Sequence, residues 1–294
     1  MTKCVQMSGT LYIVSTPIGN LEDITQRALR ILREVDVIAC EDTRHTRKLL
    51  NHFGIDAKTI SYHEHNEAER AGELCDLLSA GKDIAVVSDA GTPLVSDPGF
   101  RIVNVAIEKG INVVPIPGPA AFIAALSGSG LASDQFLFAG FLPARSNPRK
   151  TKLEELRALN ATLVFYEAPH RIAATLRDAR DVLGKRPAVV ARELTKLHEE
   201  FVRGTLDELA AAFSESKKAR GEIVLLIAGA ASHDEVARES LSSTVTTTFA
   251  ERMAQLQRAG LEEKPALKKV ARELGLKRDE AYRMLVAQKN RRSR

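Results

Sequence analysis

Short apolar runs rich in β-branched residues recur along this chain, and each breaks abruptly into turn-forming or polar residues. Leu11-Tyr-Ile-Val14 runs into Ser15-Thr-Pro-Ile-Gly-Asn20, and Val37-Ile-Ala-Cys40 into Glu41-Asp-Thr-Arg-His-Thr46. Ile84-Ala-Val-Val87 is followed by Ser88-Asp-Ala-Gly-Thr-Pro-Leu-Val-Ser-Asp-Pro-Gly99. Val113-Val-Pro-Ile116 leads into Pro117-Gly-Pro-Ala-Ala121, and Leu163-Val-Phe-Tyr166 into Glu167-Ala-Pro-His-Arg171. Apolar runs this short, bounded by breaks, read as buried strands. The residues that follow continue neither a strand nor a helix and form tight loops. Open α/β sheets bind ligands beyond the carboxyl ends of their strands. A surface turn explains any one of these loops; one shared cleft explains their recurrence in step with the strands.

Between the strands the period changes to that of a helix. Residues 25–35 place apolar side chains at 28, 29, 31, 32 and 35, one helical stripe. Asp42 or Thr43 is positioned to cap a helix running to Phe53, with Gly54 just beyond it. Thr59 to Tyr62 reads as a strand, and helices are expected over 67–80 and 100–109, stopped by Gly81 and Gly110. This alternation predicts a largely parallel sheet flanked by helices. Residues 120–126 read as another short helix, and Gly128-Ser-Gly130 as a break.

Beyond that break the strand candidates are 136–138, 163–166, 188–191, 201–202 and 223–227. Helices are expected at about 150–159, 172–183 and 206–214, which predicts a second α/β unit with a mixed sheet. Arg145-Ser-Asn-Pro-Arg-Lys150 reads as a polar basic loop, and 230–248, rich in Ser, Thr and Ala, as a linker. The tail predicts three helices: 249–257, one starting at Pro265, and 278–288 after Gly275. Helix, glycine turn, helix is the helix-turn-helix pattern, which serves nucleic-acid contact or a small protein-binding bundle.

Composition narrows the class. The chain has 294 residues, 44% hydrophobic and 27% charged, ordinary values for a globular protein. No apolar run approaches the roughly 18 residues of a membrane helix, and no signal-like segment opens the chain. Cys4, Cys40 and Cys75 are odd in number and widely spaced, which predicts free thiols in a cytoplasmic protein. Net charge is +4, but residues 250–294 carry 13 Lys/Arg against 6 Asp/Glu, leaving the body slightly acidic. A basic tail on a near-neutral body points to a polyanionic partner, or to a solubilising end. His63-Glu-His65 lacks a clear third ligand and reads as loop histidines, so no metal is expected. Phosphate-loop nucleotide hydrolysis is disfavoured, because no Gly-x-x-x-x-Gly-Lys-Ser/Thr run occurs.

Six segments in register carry a family resemblance: Ser15–Asp23, Glu41–Thr46, Ser88–Pro93, Pro117–Ala121, Phe165–Arg171 and Ala191–Lys196. Together they resemble the tetrapyrrole-methylase superfamily, and within it the branch acting on small-subunit ribosomal RNA. The resemblance spans about residues 10–230, and the tail resembles the helix-turn-helix extension of that branch. It implies two α/β domains, 1–126 and 127–232, with an S-adenosylmethionine cleft between them. A linker and a small all-α basic extension follow at 233–294. It also implies a cytoplasmic homodimer that methylates the ribose 2′-oxygen of a cytidine in 16S ribosomal RNA near the decoding centre. A small-molecule methylase and a non-enzymatic DNA-binding regulator with a ligand-sensing body are the competing readings. Many superfamily members have Gly-Pro-Ser-Ala where this chain has Gly118-Pro-Ala-Ala121, so contact at Ala120 is expected through backbone alone.

Methyl transfer from a sulfonium needs alignment of nucleophile, methyl and sulfur, and close backbone approach to a nucleoside favours Gly and Pro-fixed turns. Cofactor contact is therefore expected from Pro17, Gly19, Asp89, Thr92, Ala120, Ala121, Tyr166 and Glu167. A ribose hydroxyl is a weak nucleophile, and an acceptor for its proton would assist. The candidates are Glu41, Asp42, His45, Glu167, His170 and Glu193, with a helix cap as the competing role of Asp42. RNA phosphates are expected to meet Arg44, Arg145, Arg149, Lys150, Lys196, Lys268, Lys269, Lys277 and Arg278, with a solvated loop as the alternative at 145–152. With 5% aromatic residues and no Trp, an extended base-stacking platform is not expected.

Overall fold

In a computed structural model of the chain, residues 8–215, 220–230, 249–258 and 261–273 are described, with Ala281 and Leu285. They divide into two compact units, Met1–Ala230 and Ala231–Arg294. Among the described residues no helix is long and apolar enough to cross a membrane.

The first unit holds two five-stranded sheets. In the first, β1 (Thr10–Val14), β2 (Val37–Cys40), β3 (Thr59–Ser61), β4 (Ile84–Val87) and β5 (Asn112–Ile116) lie in the order β3-β2-β4-β1-β5. Every pairing is parallel. β2 and β4 are buried at all four positions, as central strands covered on both faces must be. Alternate residues serve the two faces. Val37, Ala39, Ile84 and Val86 pack with α3 (Glu67–Ser79) and α4 (Phe100–Glu108), while Ile38, Cys40, Ala85 and Val87 pack with α1 (Gln26–Glu34) and α2 (Thr43–His52). Thr25 caps α1 by accepting from the Ala28 N–H at 3.1 Å. The Glu67 carboxylate accepts the N–H groups of Gly99 and Arg101, satisfying the start of α4 from a distant helix.

The second sheet is mixed, in the order β6-β7-β10-β8-β9: β6 (Phe136–Phe141), β7 (Thr162–Glu167), β8 (Pro187–Arg192), β9 (Glu200–Thr205) and β10 (Ile223–Ile227). Only β6 and β7 pair in parallel. One face, with Leu163, Phe165, Val190 and Leu225, packs under α6 (Ser146–Leu156), α7 (Ile172–Leu183) and α8 (Leu206–Glu215). The other face, with Val164, Val189, Val224 and Leu226, receives α5 (Ala121–Ser129) and also Ile18 from the loop after β1. That shared cluster joins the two sheets. The expected boundary at 126/127 falls inside α5, a helix that follows the first sheet in sequence but packs on the second.

Two local readings are corrected. Residues 146–150 are not a loop but the first turns of α6. In the tail, α9 (Phe249–Arg258) is followed by α10 (Glu263–Glu273), so Pro265 is the third helical residue and not the first; a proline is still tolerated there, where N–H groups have no intrahelical partner. Met253, Leu256, Ala266, Val270, Ala281 and Leu285 form the tail's own core. Gly275 and most of the third expected helix lie outside the described residues, as does the expected linker apart from Ala230.

Candidate active site

The loops after β1, β4 and β5 converge because β4, β1 and β5 are neighbours in the sheet. Thr16 and Gly91 exchange backbone hydrogen bonds of 2.8 and 3.1 Å. Thr92 Oγ1 lies 2.9 Å from Ser15 Oγ and donates to the Pro119 carbonyl at 3.0 Å. Gly118 is required by this closeness: a Cβ there would meet Ser15 Cβ at 2.8 Å. From the other sheet, the loop 193–196 reaches Gly19, where a Cβ would sit 2.5 Å from Lys196 Cγ and 3.1 Å from the Leu194 carbonyl oxygen.

The result is a cavity of about 390 Å³, within the size range of small-ligand sites. Its walls come from both sheets: Ile18, Ala90–Thr92, Val95–Asp97, Ala120–Phe122, Phe141, Tyr166–Pro169, Leu194 and Gly221–Val224. Phe122, Phe138, Phe141 and Tyr166 form an aromatic wall with ring centroids 4.5–5.6 Å apart in successive pairs. Burial pushes the Tyr166 phenol upward. Ala120 is the residue preceding α5 and gives that helix no side-chain cap. α5 begins where Ala120, Ala121 and Phe122 line the cavity; its Phe122 N–H meets the Tyr166 hydroxyl and its Ile123 N–H the Ala120 carbonyl at 3.1 Å.

The loop after β4 is strained. Leu94 and Ser96 hold φ of 71° and 66°, and Gly91 and Gly99 hold 89° and 135°. Non-glycine residues in this region cost about 1–3 kcal/mol each and persist only where the surroundings enforce them. The strain presents Asp97 to the cavity. Burial pushes its carboxyl up to about 6, helped by the charges of Glu41 and Asp89 and opposed by a hydrogen bond from Ser88. Asp97 was not among the expected bases, although it stands inside the most distinctive loop of the sequence. The available signal was the Ser-Asp-Pro-Gly turn, which forces an acidic residue into a tight, partly buried bend.

The expected bases are placed otherwise. Asp42 caps α2, accepting from the Arg44 N–H at 2.8 Å and pairing with the Arg44 guanidinium at 2.8 Å, which hold its carboxyl well below the usual range. Glu167 is fully buried: it accepts from Thr175 Oγ1 and the Ala168 N–H and lies 3.2 Å from Arg171 Nε. Glu193, at φ 50°, bonds Lys196 Nζ at 3.0 Å and accepts the Glu222 N–H, and its carboxyl is held low chiefly by that lysine. These three carboxylates are occupied and act as struts. Glu41 stands at the end of β2, outside the cavity wall, with its carboxyl raised by desolvation and by Asp89. His45 and His170 are exposed on helix and loop and are not lining residues, although His170 directly follows the lining residue Pro169.

Of the expected cofactor contacts, Thr92, Ala120, Ala121, Tyr166 and Glu167 line the cavity. Pro17 and Gly19 flank the lining residue Ile18. Asp89 lies just before Ala90, with Oδ1 accepting the Asp42 N–H at 3.2 Å. The fit to a nucleoside-bearing sulfonium is good in kind: an apolar and aromatic wall, the Thr92 hydroxyl, and glycine backbone at Gly91, where φ of 89° favours no other residue.

The basic candidates separate sharply. Arg149 is 3% exposed, paired with Asp178 at 2.6 Å, and donates to the Pro143 and Ala144 carbonyls; it belongs to the core and not to an RNA surface. Lys150 pairs with Asp181 at 3.0 Å and Asp178 at 3.6 Å. Lys196 is held between Glu193 and Glu222, at 3.0 and 3.2 Å; burial works against its charge, but these carboxylates hold its pKa above the ordinary value. Arg44 and Arg145 are exposed, as are Lys268 and Lys269 on α10, while Lys277 and Arg278 lie outside the described residues.

Residues 10–210 match the family model of the Tetrapyrrole (Corrin/Porphyrin) Methylases. A ribosomal RNA small subunit methyltransferase I of Micromonospora olivasterospora is 48% identical over 276 residues, covering 94% of this chain and 86% of the relative. The protein of that name from Pseudomonas aeruginosa is 53% identical over 224 residues, covering 76% and 79%. Among solved structures, diphthine synthase superposes with a TM-score of 0.60 at 17% identity, covering 79% of this chain and 95% of that one. Uroporphyrin-III C-methyl transferase from Thermus thermophilus, complexed with S-adenyl homocysteine, gives 0.52 at 21%, covering 74% and 97%. These two likenesses establish the fold. Nearly half of the residues shared over almost the whole length establish more: the chain belongs to the tetrapyrrole methylases and, among them, to the ribosomal RNA small subunit methyltransferase I family.

Proposed function

We propose that this protein transfers a methyl group from S-adenosylmethionine to the ribose 2′-hydroxyl of a cytidine in 16S ribosomal RNA, near the decoding centre. One observation carries the chemistry. A cavity built from the strand-end loops of both sheets is lined by Asp97, whose carboxyl burial pushes up to about 6. The names of the 48–53% identical relatives support the substrate.

S-adenosylmethionine supplies a sulfonium-activated methyl group. The chain's own part is positioning and proton handling. Thr92, fixed between Ser15 and Pro119, orients a polar ligand, while Phe122, Tyr166 and Leu194 keep water from the apolar walls. Asp97 would accept the proton from the hydroxyl as the oxygen–methyl bond forms and the methyl–sulfur bond breaks, with S-adenosylhomocysteine as the leaving group. A base with pKa about 6 is largely ionised at pH 7 yet still basic enough to matter, and such assistance is worth roughly 10²–10⁴-fold. Glu41 and Asp89 tune Asp97 and touch no substrate in this reading. A homodimer belongs to the same reading, supported by Phe100 and Ile107, which leave α4 at 72% and 61% exposure.

The test is methyl transfer from labelled S-adenosylmethionine to small ribosomal subunits lacking the modification, with the nucleoside identified by mass spectrometry. 2′-O-methylcytidine is the expected product. Cofactor binding without transfer to subunits or naked RNA would overturn the RNA reading and favour a small-molecule acceptor.

A further inference from the structure

Helix α2 carries Arg44, Arg47, Lys48 and Asn51 at spacings that place them on one face. With Thr43 they line a shallow groove of about 290 Å³. The opposite face, with Thr46 and Leu50, is buried against the first sheet, so the basic face is presented outward by the packing of the helix. No acidic residue lies within α2. Arg44 is matched locally by Asp42. The guanidinium of Arg47 donates to a neutral hydroxyl, Thr59 Oγ1, at 3.2 Å, and Lys48 is exposed beside it.

Position gives this face meaning. α2 begins where β2 ends, on the side of the sheet where the cavity opens. The Asp42 N–H donates to Asp89, and the next residue, Ala90, lines the cavity. From Arg44 to Asn51 the helix rises about 10 Å, a length that offers cations to more than one phosphate. The groove lining holds no apolar side chain. Guanidinium, ammonium and amide in a row match phosphate and sugar oxygens, not a protein core.

We infer that the α2 face formed by Arg44, Arg47, Lys48 and Asn51 binds the phosphate backbone of the RNA beside the nucleotide that enters the cavity. This rests on the RNA reading above. The contact is sequence-independent: it holds the strand in register while the cavity selects the nucleotide.

The experiment compares the full-length protein with the double variant R47E/K48E and the charge-conserving R47K/K48R. RNA affinity is measured against salt concentration, on a 16S RNA fragment and on small subunits, with S-adenosylmethionine affinity by calorimetry. R47E/K48E is expected to reduce the slope of log affinity against log salt by about 1.4, two contacts at roughly 0.7 each for single strands. It should weaken RNA binding at least tenfold, with cofactor affinity and melting temperature unchanged; R47K/K48R should restore most of the binding. An unaltered slope in R47E/K48E overturns the inference. So does a loss confined to assembled subunits with naked-RNA binding intact, which would assign the face to a ribosomal protein. If the unmodified protein itself binds neither substrate, the RNA reading fails and this inference fails with it.

Discussion

The two sheets of this protein treat the same ingredients in opposite ways. Around the second sheet nearly every charged residue near the site is matched: Arg149 with Asp178, Lys150 with Asp181, Glu167 with Arg171, Glu193 with Lys196. Around the first sheet three carboxylates, Glu41, Asp89 and Asp97, crowd one another, and among the described residues Arg47 and Lys48 of α2 make no ion pair. Matched charges fix geometry, because two paired groups gain little from a third. Crowded or open charges are held away from their preferred state, and that is what proton transfer and anion binding require. In the proposed mechanism the second sheet is thus a frame, and the first supplies the proton acceptor.

The sharpest way to break this comparison is Asp97→Asn. Methyl transfer is expected to fall at least 10²-fold at saturating cofactor, with cofactor affinity by calorimetry little changed. In the unmodified protein the rate should rise with pH through about 6 and then level; in Asp97→Asn that rise should vanish. Stability gives an independent reading. The folded Asp97 titrates above its ordinary value near 3.8, so the native chain holds the proton more tightly than the unfolded chain. Its contribution is present at low pH and is lost as pH rises from about 4 to about 6. Asp97→Asn should therefore melt no lower than the unmodified protein at pH 8. A variant that lost activity by unfolding would show the reverse.

On the side of the frame, Arg149→Ala leaves Asp178 buried without its partner. Unpaired buried charges cost about 3–5 kcal/mol, so thermal unfolding should shift down by many degrees. The RNA salt slope of the folded fraction should not move; a reduced slope would return Arg149 to the binding surface. A milder effect is expected from Lys196→Met, which frees Glu193 and Glu222. The Glu193 carboxyl is held low mainly by that lysine, so the stability lost in the variant is the part present above the ordinary glutamate value of 4.5 and shed as pH falls below it, and proton titration by NMR should show Glu193 moving up. The smallest expected change is Ala120→Ser, which gives α5 the side-chain cap it lacks. A gain of about 0.5–2 kcal/mol is expected from the cap, read as a higher melting temperature.

The strands, the helices and the alternation that makes a parallel sheet were legible in the sequence, because hydrophobic period and glycine stops are local properties. So was the convergence of strand-end loops, since Pro and Gly at those positions leave the chain no other conformation. The order of strands within each sheet was not legible, nor that α5 crosses to the second sheet. Both depend on which apolar faces meet, and the sequence gives each face without its partner. The same divide runs through the charged residues. Arg149, Lys150 and Lys196 read as a basic surface, because nothing local shows that Asp178, Asp181 and Glu222 lie opposite them, 26 to 31 residues away. Arg47 and Lys48 carry the same charge in sequence, and only their surroundings in space distinguish them: Arg47 meets a neutral hydroxyl, and Lys48 is exposed beside it. Asp97 was hidden for a related reason. Its basicity comes from burial and from the fields of Glu41 and Asp89, which the fold brings to it from two other positions along the chain. The sequence by itself determined most of the elements; the tertiary structure alone decided which charges are neutralised, because pairing energies fall off within a few ångströms in space and take no account of distance along the chain.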